Sequence, residues 1–192
     1  MKSTRVALAT LLLTLLACAV AAPNLLFKYA GDRTDESADA LVALLEDAGA
    51  DPRAVSDDGE TALHMSCIWG SAKKVRALLN AGADPNARAS KNPASLDMTP
   101  LTWCSYAGYT EAIAAFLAVD ATAPNLVVRE ESGGRLTALD IARKIGPRGA
   151  DAAALLVGAG AKTYAELLAD AGGVASAVPG LPPGDAQAND EL

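Results

Sequence analysis

The sequence predicts an all-α solenoid of about four helix-turn-helix units with finger loops between them. Three observations carry that prediction. Alanine and leucine dominate while aromatic residues reach only 4%, a composition that suits closely packed helices better than a sheet. Three columns of residues recur together: Thr61, Thr99 and Thr137; Leu63, Leu101 and Leu139; Gly70, Gly108 and Gly146, in two steps of 38 residues. Apolar residues between the columns fall at i, i+3, i+4 spacing, in Val75, Leu78 and Leu79 and again in Ile113, Phe116 and Leu117. Recurrence at a fixed step is the mark of stacked repeats.

The N-terminus reads as a targeting segment. Lys2 and Arg5 precede an apolar stretch from Val6 to Leu16, and small residues follow through Ala22. This is the three-part pattern of a secretory signal peptide, with cleavage expected after Ala21. A retained anchor is the alternative, but the apolar stretch is short of the ~20 residues a spanning helix needs. A lipid-attachment box at Leu15-Leu16-Ala17-Cys18 is a further alternative that Leu16 fits poorly. Loss of residues 1–21 would move the net charge from −7 to −9. So acidic a chain argues against nucleic acid as partner, since phosphate binding needs clustered Lys and Arg. It favours a basic protein partner. A monomer without membrane contact after cleavage is expected.

The repeat domain is expected over 22–170, in units of about 23–55, 56–88, 96–127 and 133–163 with a closing helix at 164–170. In each unit the threonine is a good N-cap. Ala62, Pro100 or Ala138 follows at the first helical position, where proline is tolerated. The glycine ends the first helix by adopting a left-handed conformation. The second helix closes at turns such as Gly82-Ala83-Asp84-Pro85. Leu25, Leu26 and Phe27 begin a first helix in the degraded first unit. Residues 171–192, rich in Gly, Ala, Pro and acids, read as a flexible tail.

Residues 58–64 (DGETALH), 75–86 (VRALLNAGADPN), 99–101 (TPL) and 137–146 (TALDIARKIG) together resemble the ankyrin repeat. The resemblance covers about residues 23–163. The 38-residue steps exceed the usual period of about 33, which places insertions at 88–96 and 124–134 and enlarges the fingers there. The resemblance implies protein binding through the concave face. Ile68, Trp69, Tyr106, Lys144 and Ile145 stand where ankyrin stacks line that face, and Tyr109 lies nearby. Trp69 and Tyr106 either dock a partner or pack on each other. Asp58 and Glu60 join this set from a finger turn; calcium binding there would need more oxygens at tighter spacing. The resemblance makes His64 a structural residue whose imidazole bonds to backbone between repeats. Thr61, Gly70, Thr99, Gly108, Thr137 and Gly146 are structural in the same sense.

No nucleophile–base grouping, phosphate loop or metal spacing is evident, so no enzyme, cofactor or metal is expected. Two cysteines remain after cleavage, Cys67 and Cys104. An oxidising compartment would invite a disulfide. Helices of neighbouring repeats, however, pack about 8–10 Å apart, and a disulfide needs Cα atoms within about 7 Å. The expectation is two reduced, buried thiols. The ending Asn189-Asp190-Glu191-Leu192 resembles the Lys-Asp-Glu-Leu class of endoplasmic reticulum retention signal in its last three positions. The expected location is therefore the lumen of that organelle, with export outside the cell or to a periplasm as the alternative.

Overall fold

The structure, a computed structural model, describes residues 24–182 except 90 and 92. The expected signal segment at 1–21 and the ending Asn189, Asp190, Glu191 and Leu192 lie outside the described residues.

Among the described residues there are nine helices, seven of which form two layers. The nine are α1 (24–30), α2 (Asp35–Glu46), α3 (Ala62–Trp69), α4 (Ala72–Asn80), α5 (Pro100–Ala107), α6 (Thr110–Leu117), α7 (Ala138–Lys144), α8 (Ala150–Gly158) and α9 (Tyr164–Asp170). The inner layer runs α3–α5–α7 and the outer layer α2–α4–α6–α8. Between the layers lies one continuous core, in which Leu26, Leu63, Leu78, Leu101, Phe116 and Leu139 are almost wholly shielded from solvent.

Local chemistry sets the helix boundaries. Thr99, Thr137 and Thr163 open α5, α7 and α9 with reciprocal caps. Each hydroxyl accepts from the N–H three residues on, and that residue's side chain accepts from the threonine N–H. Two N–H groups that a helix start leaves unpaired are thereby satisfied. The inner helices α3 and α5 end at Gly70 and Gly108, which take left-handed φ values of 71° and 76°. At Gly70 a side chain is excluded twice over, because an added Cβ would sit 2.4 Å from the Tyr109 ring.

The repeats are riveted by hydrogen bonds to helix C-termini. Trp69 Nε1 donates to Gly31 O (2.6 Å), Tyr109 Oη to Ile68 O (3.2 Å), and Arg148 Nη2 to Ala107 O (3.3 Å). In each case a large side chain of one unit satisfies a carbonyl left over at the end of the first helix of the preceding unit. Lys74, almost fully buried on α4, reaches back likewise, donating from Nζ to the carbonyls of Tyr29 (2.7 Å) and Asp32. On the finger side, Asn86 brackets the chain of the next unit, donating to Ala121 O and accepting from Ala123 N. Asn125 does the same one repeat later, at Gly160 and Lys162.

Three features differ from the sequence expectation. First, Cys67 and Cys104 form a disulfide between α3 and α5, with their Cα atoms 4.8 Å apart. The expectation of two reduced thiols is thus corrected. Axes about 8–10 Å apart, less two helix radii of about 2.3 Å each, leave facing Cα atoms only about 3.4–5.4 Å apart.

Second, β1 (Val128–Arg129), within the insertion at 124–134, pairs with β2 (Arg135–Leu136) just beyond it in a small antiparallel hairpin. The segment at Leu96 and Asp97 flanks it: Arg129 N donates to Leu96 O (3.0 Å), and the Arg129 guanidinium pairs with Asp97 (3.0 Å). Third, residues 171–182 do not form a loose tail. Val178 is buried with Val127 and Leu167 in a second small core, flanked by Tyr164, Leu168 and Leu181. Gly180 O accepts from Val127 N (2.8 Å) and from Arg88 Nη2 (2.7 Å), while Arg88 Nη1 donates to Val127 O (2.9 Å). Sparse apolar residues suffice for this docking because Arg88 ties both strands of backbone together.

Candidate functional site

The inner helices and the two enlarged fingers enclose an open groove of about 930 Å³. Its floor comes from the last turns of α3, α5 and α7: Ile68, Trp103, Tyr106, Ala107, Lys144 and Ile145. Leu96 and Met98 of one finger, with Val128 and Leu136 of the hairpin, supply the wall. The last turns face outward because the first turns carry the residues that fill the core, such as Leu63, Leu101 and Leu139.

A family model of ankyrin repeats, in three copies, matches residues 27–128, more than half of the chain. The chain belongs to the ankyrin repeat family. Ankyrin repeats are generally protein–protein interaction modules, and the mostly helical stack, with its two short strands, fits their architecture. No curated protein matches the chain. The match ends within β1, yet α7 and α8 repeat the capping and packing of the matched units.

The ankyrin groove brings together four of the eight predicted contact residues, Ile68, Tyr106, Lys144 and Ile145. Tyr106 is 67% exposed on the floor, with Ile68 at 36% beside it. Trp69 is 37% exposed; its indole N–H is bonded to Gly31 and its ring lies 3.6 Å beneath the Arg33 guanidinium. Tyr109 is partly buried against Gly70 and serves the seam between repeats. Lys144 forms an ion pair with Glu130 across the groove, and that contact holds the Glu130 carboxyl below its ordinary range. Ile145 is half-buried and packs toward Gly108. Asp58 and Glu60 sit away from this floor, at the turn before α3. Burial, reinforced by the nearby Asp58 charge, raises the Glu60 carboxyl above its usual value.

His64 is fully buried, and both ring nitrogens are engaged. Nδ1 accepts from the Thr61 N–H (3.0 Å), so Nε2 carries the proton and donates to Met98 O in the next unit (3.1 Å). Trp103 meets its ring edge-on at 5.4 Å. Burial pushes the imidazole down to about 4, which keeps it neutral at physiological pH. A group so enclosed reaches no substrate proton.

Read alone, the sequence argues against the disulfide beneath the floor, and it does not identify the hairpin wall or Arg148. The signal for Arg148 was available in the basic run of α7 and the turn after it, Arg143, Lys144 and Arg148. Among the described residues no helix is long and apolar enough to cross a membrane.

Proposed function

We propose that this ankyrin protein is a non-catalytic, monomeric binding module of the secretory pathway, resident in the endoplasmic reticulum lumen, which holds a protein partner in the groove. One observation carries the binding reading. Exposed Tyr106 and Ile68 lie on a floor whose helices and walls are already ordered, and tyrosine is among the residue types enriched at binding hot spots. The compartment reading rests on the N-terminal apolar segment and the Asn-Asp-Glu-Leu ending. The Cys67–Cys104 disulfide supports it, because such bonds persist in oxidising compartments.

Two experiments test the proposal. Selection of a displayed peptide library on the folded protein should enrich sequences that lose binding to a Tyr106→Ala variant of unchanged melting temperature. Equal binding to both proteins would refute the groove as the docking site. Expression of the whole chain with and without its last four residues tests the location. Retention of the complete chain and secretion of the shortened one support a resident protein; secretion of both supports the exported alternative.

A further inference from the structure

Net charge and local charge disagree in this molecule. The whole chain carries −7, which at long range favours basic partners. Docking, however, is decided within about one Debye length, ~8 Å at physiological salt. Within that range the groove charges largely cancel. Lys144 pairs with Glu130 and Arg129 with Asp97. The groove-lining charges that remain are Glu131, at the tip of the hairpin wall, and Arg148, on the floor beside Tyr106 and Ala107. Next to the floor lies a second arginine, Arg33, over the Trp69 ring. Both arginines are exposed, and neither has a carboxylate partner among the described residues.

Each guanidinium is also held in place. Arg33 stacks its face on an indole, an arrangement that leaves the N–H edge pointing outward. Arg148 spends one N–H on Ala107 O and keeps the rest of its fork. An ordered, weakly hydrated guanidinium takes a carboxylate in a two-pronged geometry with little further loss of side-chain freedom. Arg33 touches Trp69, the chain neighbour of Ile68, and Ile68, Tyr106 and Arg148 line the same groove.

We propose that the groove's occupant is an acidic peptide segment. An aromatic or branched aliphatic side chain would lie on Tyr106 and Ile68, and flanking Asp or Glu carboxylates would be clasped by Arg148 and Arg33. This inference rests on the binding reading above and names its partner chemistry, opposite in sign to what net charge predicts.

The same displayed library supplies the test, read by sequence as well as affinity. Enriched peptides should place Asp or Glu beside an aromatic or aliphatic residue. Chemically synthesised copies should bind Arg148→Gln and Arg33→Gln roughly tenfold or more weakly, at a temperature where each variant is fully folded. Arg148→Lys should restore only part of the loss, since it keeps the charge and lacks the fork. Peptides that depend on Tyr106 but are rich in Lys and Arg, or ignore both arginine variants, overturn this inference and leave the groove standing. The absence of any Tyr106-dependent peptide overturns both.

Discussion

Mild acidification should destabilise this protein, and His64 should be the cause. Its imidazole titrates near 6.5 when free and is pushed down to about 4 by burial in the fold. The native state therefore binds fewer protons than the unfolded chain over that interval. A group with a depressed folded pKa contributes stability that is present above its unfolded value and lost as pH falls toward its folded one. The full loss is about 3 kcal/mol, at about 1.36 kcal/mol per pH unit. Roughly 2 kcal/mol of it should disappear between about pH 7 and pH 5. Other groups act elsewhere. Glu130, Glu166 and Asp32 are held low by hydrogen bonds from Lys144, the Thr163 N–H and the Thr34 N–H respectively. Their contributions fade only around and below the ordinary carboxylate values of 4.5 and 3.8. Glu60, raised by burial, acts with opposite sign and loses its contribution as pH rises. Urea unfolding of the oxidised protein at the two pH values, beside His64→Gln, reads the effect directly. The variant should be less stable at neutral pH and lose little more on acidification. A pH slope in His64→Gln equal to that of the parent would refute the reasoning.

Three further outcomes are expected. Reduction of Cys67–Cys104, which spans 37 residues, should cost about 4 kcal/mol by the loop-entropy relation, seen as a lower denaturant midpoint with reductant present. Gly70→Ala should cost roughly 2–4 kcal/mol, because strain at φ 71° is joined by collision with Tyr109; Gly82→Ala, at φ 92° with nothing near, should cost only about 1–2 kcal/mol in the same melts. Truncation after Gly172 removes Val178 and Leu181 from the second core, so a loss of about 2 kcal/mol should come with faster amide exchange at Val127.

The sequence made the repeat legible because each unit carries its own boundaries. Thr99 and Gly108 mark the ends of α5 whatever lies beside it, and the apolar stripe of α4 shows which face is buried. Relations between units were hidden for the matching reason. The caps of α3 and α7 use His64 and Asp140 at the third helical position, so one device appears as unlike residues. Lys74 looks like a surface lysine on a polar helix, and only the preceding unit's carbonyls explain its burial. The tail has no period to read, since Val178 and Leu181 are positioned by Arg88, which lies 92 residues from Gly180. At the groove, Tyr106 and Ile68 were legible from their place before the helix-ending glycine. Arg33 was not, because its role depends on a tryptophan in the following repeat.

The disulfide bears on both halves of the functional reading. In a linear stack each unit is stabilised by its neighbours alone, so a short array has few interfaces to draw on. Folded domains commonly hold only about 5–15 kcal/mol in total. A bond contributing about 4 kcal/mol would then be a large share of the stability of this chain. It joins the two units that supply Ile68 and Tyr106 to the groove floor, and Cys67 itself borders the groove. Reduction should consequently loosen the seam where the proposed partner sits before it affects α8 or α9. Hydrogen exchange can separate the two cases. If reductant speeds exchange in α3 and α5 first, the bond maintains the docking face; uniform acceleration across the stack would mean that it acts on global stability alone.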